Sequence, residues 1–207
     1  MRSNSNISLR LNPMGNGPQV DSTAYIDQTA QIIGKVHIGT QVFVGPNAVV
    51  RADETDTSLG VATIEIGPEC NVQDGVIIHA LQGAKVTIGR RTSLGHGCII
   101  HGPCTLCEGC FVGFGAKVFD AVVGDGSFIG TGAIVQSVEL AAESLVPPGV
   151  SVLCREHVIR LVSTTGPEDC EFMEKVVAAN VALTEGYIGL NGPKENRGFP
   201  DEKEVHI

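Results

Sequence analysis

Tryptophan is absent from the 207 residues, and tyrosine and phenylalanine bring the aromatic share to only 4%. A core filled by bulky rings is thereby excluded, although the chain is long enough to bury a sizeable core and 43% of it is hydrophobic. Positive charge is scarce: 14 Lys and Arg stand against 23 Asp and Glu, a formal net charge of −9. A nucleic-acid backbone or an anionic membrane would be repelled, so neither is expected as a partner. No apolar run approaches the roughly 18–20 residues of a membrane-spanning helix. Met1 to Gly17 lacks the apolar stretch of a signal peptide, which reads as a flexible arm on a cytoplasmic protein. A disulfide framework is missing too, because the seven cysteines are odd in number and irregularly spaced. What abounds is glycine, 26 residues, beside small aliphatic side chains. That combination suits a thin, regular, turn-rich structure.

Aliphatic residues recur every sixth position. One run is Ile26, Ile32, Ile38, Val44, Val50; another is Ile66, Val72, Ile78. A third spans Ile88, Leu94, Ile100, Leu106, Val112 and Val118, and later runs are Val123, Ile129, Val135 and Leu140, Val146, Val152. A period of six is neither helix nor plain strand; it fits short strands joined by tight corners. Glycines that follow many of these residues, such as Gly39, Gly89 and Gly113, are expected to give the turns backbone freedom. Four residues after each aliphatic stands mostly a small one, including Ala48, Cys70, Cys98, Cys104, Cys110 and Ala116, which predicts a second, cramped inward slot. The pattern resembles the hexapeptide repeat of left-handed parallel β-helices. Left-handedness and a triangular section are implied by that resemblance, since the general crossover rule favours right-handed turns. The expected fold is mainly β: an arm over 1–19, a left-handed β-helix over 20–155, a C-terminal helix over 156–190 packing on it, and a tail over 191–207. Loops should leave the stack at Arg51–Glu65 and Ala80–Thr87, with a one-residue contraction near Phe119–Val122. The last helix should start at Pro167, with Glu168, Asp169 and Glu171 in its first turn and an apolar stripe of Phe172, Val176, Val177, Ala179, Ala182 and Leu183.

This register makes a prediction about histidines. His79 follows Ile78 and His101 follows Ile100, one coil apart once Ala80–Thr87 loops out. The two imidazoles then stack on one edge about 4.8 Å apart. Arg51, after Val50, falls on the same column beneath His79, whereas His96 lies one corner away. A lone histidine beside a turn is ordinarily a solvated surface residue; two on one column with a third nearby suggest a metal. His96 cannot reach from the same chain, so a neighbour in a three-fold assembly would supply it. Three neutral histidines with an open position form the layout of a catalytic zinc carrying water, whose pKa the ion lowers to about 7. His37, His157 and His206 have no such partners.

The segments Arg51-Ala-Asp-Glu54, Asn71-Val-Gln-Asp-Gly-Val-Ile-Ile-His79 and His96-Gly-Cys-Ile-Ile-His-Gly-Pro103 resemble the signature blocks of γ-class carbonic anhydrases. The stretch from His101 to Gly124 is also similar to the N-terminal domain of the carboxysome scaffold protein of that class, and the resemblance covers about residues 20 to 165. It implies a homotrimer that hydrates CO2 to bicarbonate by a metal-bound hydroxide (a lyase, carbonate dehydratase). His79 and His101 would ligate the metal from one subunit and His96 from its neighbour. Gln73 would orient the hydroxide and Asp53 would hold Gln73. Arg51 would pair with Asp74 of an adjacent subunit, and Glu54 would move protons or position bicarbonate. Zn2+ is the expected ion; Fe2+ or Co2+ also suits three imidazoles and water. More modest readings make Arg51–Asp74 an interface ion pair only and Gln73 a turn cap.

There are departures from the family pattern. The loop Ala80-Leu-Gln-Gly-Ala-Lys85 is short and carries no carboxylate, where highly active relatives have a long loop with an acidic proton shuttle. Leu145 stands where some relatives carry tyrosine. A non-catalytic or weakly active metal-binding assembly module of the same family is therefore the alternative function. A hexapeptide-repeat acyltransferase is a second alternative, though it leaves the three histidines with Gln73 and Asp53 unexplained. Cys104-x2-Cys107-x2-Cys110 invites an iron–sulfur cluster, but Cys104 and Cys110 fall in the small inward slot and position 114 is Phe.

Overall fold

A computed structural model describes residues 8–58 and 60–191 of the chain. It is the expected left-handed parallel β-helix, a solenoid of about seven turns followed by helices. Three faces form its sides. The first carries Leu9–Arg10, Gln31–Gly34, Val49–Ala52, Ile77–His79, Ile134–Gln136 and Ser151–Val152. The second carries Gln19–Val20, Val36–Ile38, Ile64–Ile66, Val86–Ile88 and Glu139–Leu140. Two long strands, Ile99–Leu106 and Lys117–Val123, run round the corner and join these faces into one sheet. The third face is a separate sheet running from Tyr25–Ile26 through Asn71–Val72 and Phe111–Val112 to Ser144–Val146.

The sixth-position aliphatics fill the axis. Ile32, Val50, Ile78, Leu94, Ile100, Val118 and Val135 are fully buried, each stacked on its counterpart one coil away. The small slot is real as well: Ala48, Thr92, Cys98, Ala116, Ser127 and Ala133 are wholly enclosed. Cys70, Cys98, Cys104 and Cys110 sit in it, and burial pushes each thiol up to about 12. The contraction occurs where expected, as a register slip between His101–Cys104 and Phe119–Ala121, and the next coil keeps the shortened count through Gln136 and Glu139.

Four details differ from expectation. The glycines after the aliphatics owe their place to space rather than freedom. A Cβ on Gly89 would stand 2.5 Å from the Cys107 carbonyl carbon of the coil above. The positive φ values fall instead at other corner residues, among them Gly75, Gly97 and Gly115. Residues from Ser8 onward, assigned to a flexible arm, already belong to the stack: Leu9–Arg10 pairs with Ile32–Ile33, and Asn12 Nδ2 donates to the Ala52 carbonyl. Residues 1–7 and 192–207, including most of the expected tail, lie outside the described residues.

The C-terminal region is two helices rather than one. Helix α1, Arg155–Leu161, caps the last coil. A strand, Ser163–Thr164, then pairs antiparallel with Ser144–Leu145. Helix α2, Pro167–Asn191, starts at the expected proline and runs back along the third face. Its buried side is Met173, Val177 and Thr184, rotated from the expected stripe, with Phe172 and Leu183 largely exposed. The cause is the surface it meets, which offers polar groups and rings. Arg91 pairs with Glu174, Gln41 bonds Glu185, Phe172 meets Phe111, and Tyr187 stacks on Tyr25 at 4.4 Å.

Candidate metal centre

Strand pairing places Arg51, His79, His101, Phe119 and Gln136 in one column along the edge between the first and second faces. His79 Nδ1 lies 3.1 Å from His101 Nε2. Two nitrogens each about 2.0–2.1 Å from one tetrahedral ion would be about 3.3–3.4 Å apart. The spacing therefore suits a shared ion. His101 Nδ1 donates to the Gly102 carbonyl at 3.0 Å, an acceptor only, so its Nε2 carries the lone pair.

His79 is 8% exposed, and its Nε2 is a buried ring nitrogen with no hydrogen-bond partner. Glu54 Oε1 is 3.3 Å away and Asp53 Oδ1 3.9 Å, close enough for ion pairing but not aligned for a hydrogen bond. Burial first, then the Arg51 charge, holds His79 below the ordinary imidazole range; Glu54 and Asp53 oppose them more weakly. The neutral form that results is the one that binds metal. On a neutral His79 ring the facing pair, His79 Nδ1 and His101 Nε2, is spaced to share a metal ion, while the orphaned Nε2 is the other nitrogen of the ring, turned toward Glu54 and Asp53.

The remaining expected residues divide between two places. Arg51 Nη1 donates to both oxygens of Asp53, at 2.9 and 3.1 Å. Glu54 accepts from the Gln82 amide at 3.1 Å, so the short loop clamps it over His79. Gln73, Asp74 and His96 lie on the opposite edge of the first face, where it meets the third. His96 Nδ1 is 3.5 Å from Asp74 Oδ2, and the His96 ring lies 5.3 Å from that of Phe114. Gln73 spends its amide hydrogens on Asn71 (3.2 Å) and Asn180 (2.7 Å). Its carbonyl oxygen is left to accept. Within one chain, then, Asp53 holds Arg51 and not Gln73. Among the described residues of one chain, no three His, Cys, Asp or Glu side chains are grouped so as to hold a metal.

Sequence reasoning passed over Asn71, Asn180 and Phe119, whose ring stands edge-on to His101 at 5.1 Å. Asn71 alternates with Gln73 and could have been found by strand parity. Asn180 lies on α2, and no local pattern ties it to the site. A cleft of about 390 Å3 opens beside His101, lined by Ile99, Lys117, Phe119, Ile134 and Gln136. A larger one, about 480 Å3, opens on the second face and contains no histidine. The chemistry belongs with the smaller.

No family model matches the chain. A carbonic anhydrase from Methanosarcina thermophila is 33% identical over 198 residues, covering 85% of this chain and 77% of that protein. The carboxysome assembly protein CcmM of a Nostoc species is 33% identical over 180 residues, 82% of this chain and 31% of that protein. The chain thus spans about a third of the length of the carboxysome proteins it matches. Among solved structures, a hexapeptide transferase family protein from Anaplasma phagocytophilum superposes with a TM-score of 0.74 at 30% identity, covering 87% of this chain and 98% of that one.

Proposed function

The chain belongs to the γ-class carbonic anhydrase family, and from that premise we propose that it is itself a carbonic anhydrase, working as a homotrimer on CO2 and bicarbonate. One observation carries the reading: the expected site residues form two half-sites on opposite edges of one face, each incomplete. His79 and His101 offer two facing nitrogens and no third ligand. The His96 side chain stands 52% exposed, on the same edge as an acceptor held ready on Gln73. A three-fold arrangement of copies that sets one edge against the other completes the set. The outward residues between these edges, among them Ile77, which is exposed, and the partly covered Ile99 and Ile134, give that face an apolar strip to bury.

His79 and His101 of one copy and His96 of the next would hold the ion, zinc by default and iron(II) or cobalt(II) by donor type. What the ion supplies when bound is Lewis acidity that lets water act as a nucleophile near neutral pH. The rest falls to side chains. Gln73 Oε1 accepts a hydrogen bond from the attacking oxygen and so aims its lone pair at the CO2 carbon. Glu54 takes the proton that hydration releases; it is half-buried at the mouth of the loop and can pass the proton outward. Arg51 and Asp53 keep the floor of this half-site charged but balanced, and Arg51 would turn part of its guanidinium to the neighbour's Asp74. A cytoplasmic setting is part of the proposal: all seven cysteines are free, as a reducing compartment keeps them. Among the described residues no helix is long and apolar enough to cross a membrane.

The test is anaerobic purification followed by metal analysis, sedimentation and stopped-flow CO2 hydration on one sample. About one ion per chain, a trimer and hydration support the enzyme. An ion and a trimer without hydration support the second reading, a metal-binding assembly module, which the match to CcmM and the carboxylate-free loop favour. The acyltransferase reading needs a base in a cofactor groove, and the larger cleft has no histidine to offer.

A further inference from the structure

The two edges of the first face carry matched columns. On one, backbone bonds from Gly97 to Asp74, Gly115 to His96 and Gly132 to Phe114 stack Asp74, His96, Phe114 and Thr131. On the other stand Arg51, His79, His101, Phe119 and Gln136. Each coil contributes one member to each column: Asp74 with His79, His96 with His101, Phe114 with Phe119. In a three-fold assembly with parallel axes, a shared ion requires the neighbour's His96 to stand between the levels of His79 and His101. A rotation about such an axis preserves height, and His96, five residues before its counterpart His101 on a rising coil, already lies below it by part of the rise of about 4.8 Å.

A β-helix is rigid, so the same offset applies to everything on that edge. It sets the neighbour's Phe114, one coil above His96, between His101 and Phe119. There the cleft of about 390 Å3 lies open, with Ile99, Ile134 and the aliphatic part of Lys117 as its apolar walls. Phe114 is 52% exposed in a protein with only nine aromatic residues, and it is stacked between the polar His96 and Thr131. Phe119 lies edge-on to His101 at 5.1 Å, and it is the wall that an incoming ring would press upon. A receiving cleft and an unburied ring stand at matching heights on edges that must meet.

We propose that Phe114 of the neighbouring copy seats in this cleft between His101 and Phe119, closes the metal half-site to water from above and fixes the plane of the His101 ring. Phe114 is thus a positioning residue, acting through His101, and couples assembly to the geometry of the site. The inference deepens the shared-site reading and rests on it.

The experiment uses the full chain with Phe114→p-benzoylphenylalanine, irradiated and analysed by gel and peptide mass spectrometry, beside sedimentation of the unaltered protein. Cross-links between chains, joining position 114 to peptides holding Ile99–His101, Lys117–Phe119 or Ile134–Gln136, are expected. If the unaltered protein sediments as a trimer and the cross-links fall elsewhere or do not form, the Phe114 assignment is overturned while the trimer stands. If it sediments as a monomer, the three-copy reading fails first and this inference with it. A second readout addresses positioning. With cobalt(II) loaded, Phe114→Ala should shift the visible absorption bands and weaken the trimer about tenfold or more, and Phe114→Leu should restore much of both. Unchanged bands in a trimeric Phe114→Ala protein would sink the positioning role.

Discussion

The two edges of the first face carry their chemical groups in opposite states of readiness. On the His79 edge nearly every group is engaged. Arg51 is forked onto Asp53, Glu54 is clamped by the loop, and His101 is tied to its own backbone and buttressed by Phe119. On the His96 edge Gln73 is held by two asparagines, but His96, Asp74 and Phe114 all stand more than half exposed. One edge is built to receive and the other to be delivered. Preorganisation is concentrated where folding alone can provide it, and the mobile partner groups wait for assembly to fix them.

The sharpest way to break this comparison is to remove the delivered group. His96→Ala should abolish metal binding in the assembled protein, with loss of CO2 hydration beyond the about 10–100-fold that a supporting residue costs. The chain should fold as before, because the His96 side chain is more than half exposed. Full metal occupancy in that variant, measured by elemental analysis, would show that the two edges do not meet. His79→Ala should lose metal equally but also leave a hole beneath His101.

Next in size is the proton path. Glu54→Gln keeps the shape and the acceptor for the Gln82 amide but removes the base. Hydration should fall about 100-fold with metal retained, and added imidazole buffer should restore part of it. No rescue by buffer would mean that Glu54 positions substrate or merely closes the loop. Smaller still is Asn180→Ala, which frees one Gln73 hydrogen and lets the amide swing. A fall of about tenfold in turnover at unchanged metal content is expected, and an unaltered rate would detach α2 from the site.

Much of this was legible in advance, for a geometrical reason. In a β-helix, sequence spacing maps directly onto position in the prism, so counting from Ile78 to Ile100 with the loop removed was enough to stack His79 on His101. The small slot was readable because Cys98 and Ala116 recur where only a small side chain fits. The α2 interface escaped because its buried face is chosen by the third face, whose rings and Arg91 lie scattered over the chain; Met173 and Thr184 look no more buried in sequence than Phe172 and Leu183. Glycine was recognised but misread: its usual signature is a turn, while here Gly89 and its equivalents lie where the next coil passes too close for a Cβ. The Ser8–Gln19 stretch looked like an arm because its aliphatics, Leu9 and Leu11, are too few to show a period.

The smallest effect compares the edges through protons alone. His79 is held below its ordinary value of 6.5 by burial and by Arg51, whereas His96 is exposed. In metal-free protein above that ordinary value, both folded and unfolded chains carry His79 neutral, and its contribution to stability is fully present. As the pH falls below about 6.5 the unfolded chain takes up the proton first. Stability must therefore decline with falling pH, and the decline levels off only below the depressed folded value. His96→Ala should preserve this acid-side loss in a urea-unfolding series from pH 7.5 to about 5, and His79→Phe should flatten it relative to its own value at pH 7.5. The reverse pattern would mean that the buried, prepared edge is not the one the fold pays to keep uncharged.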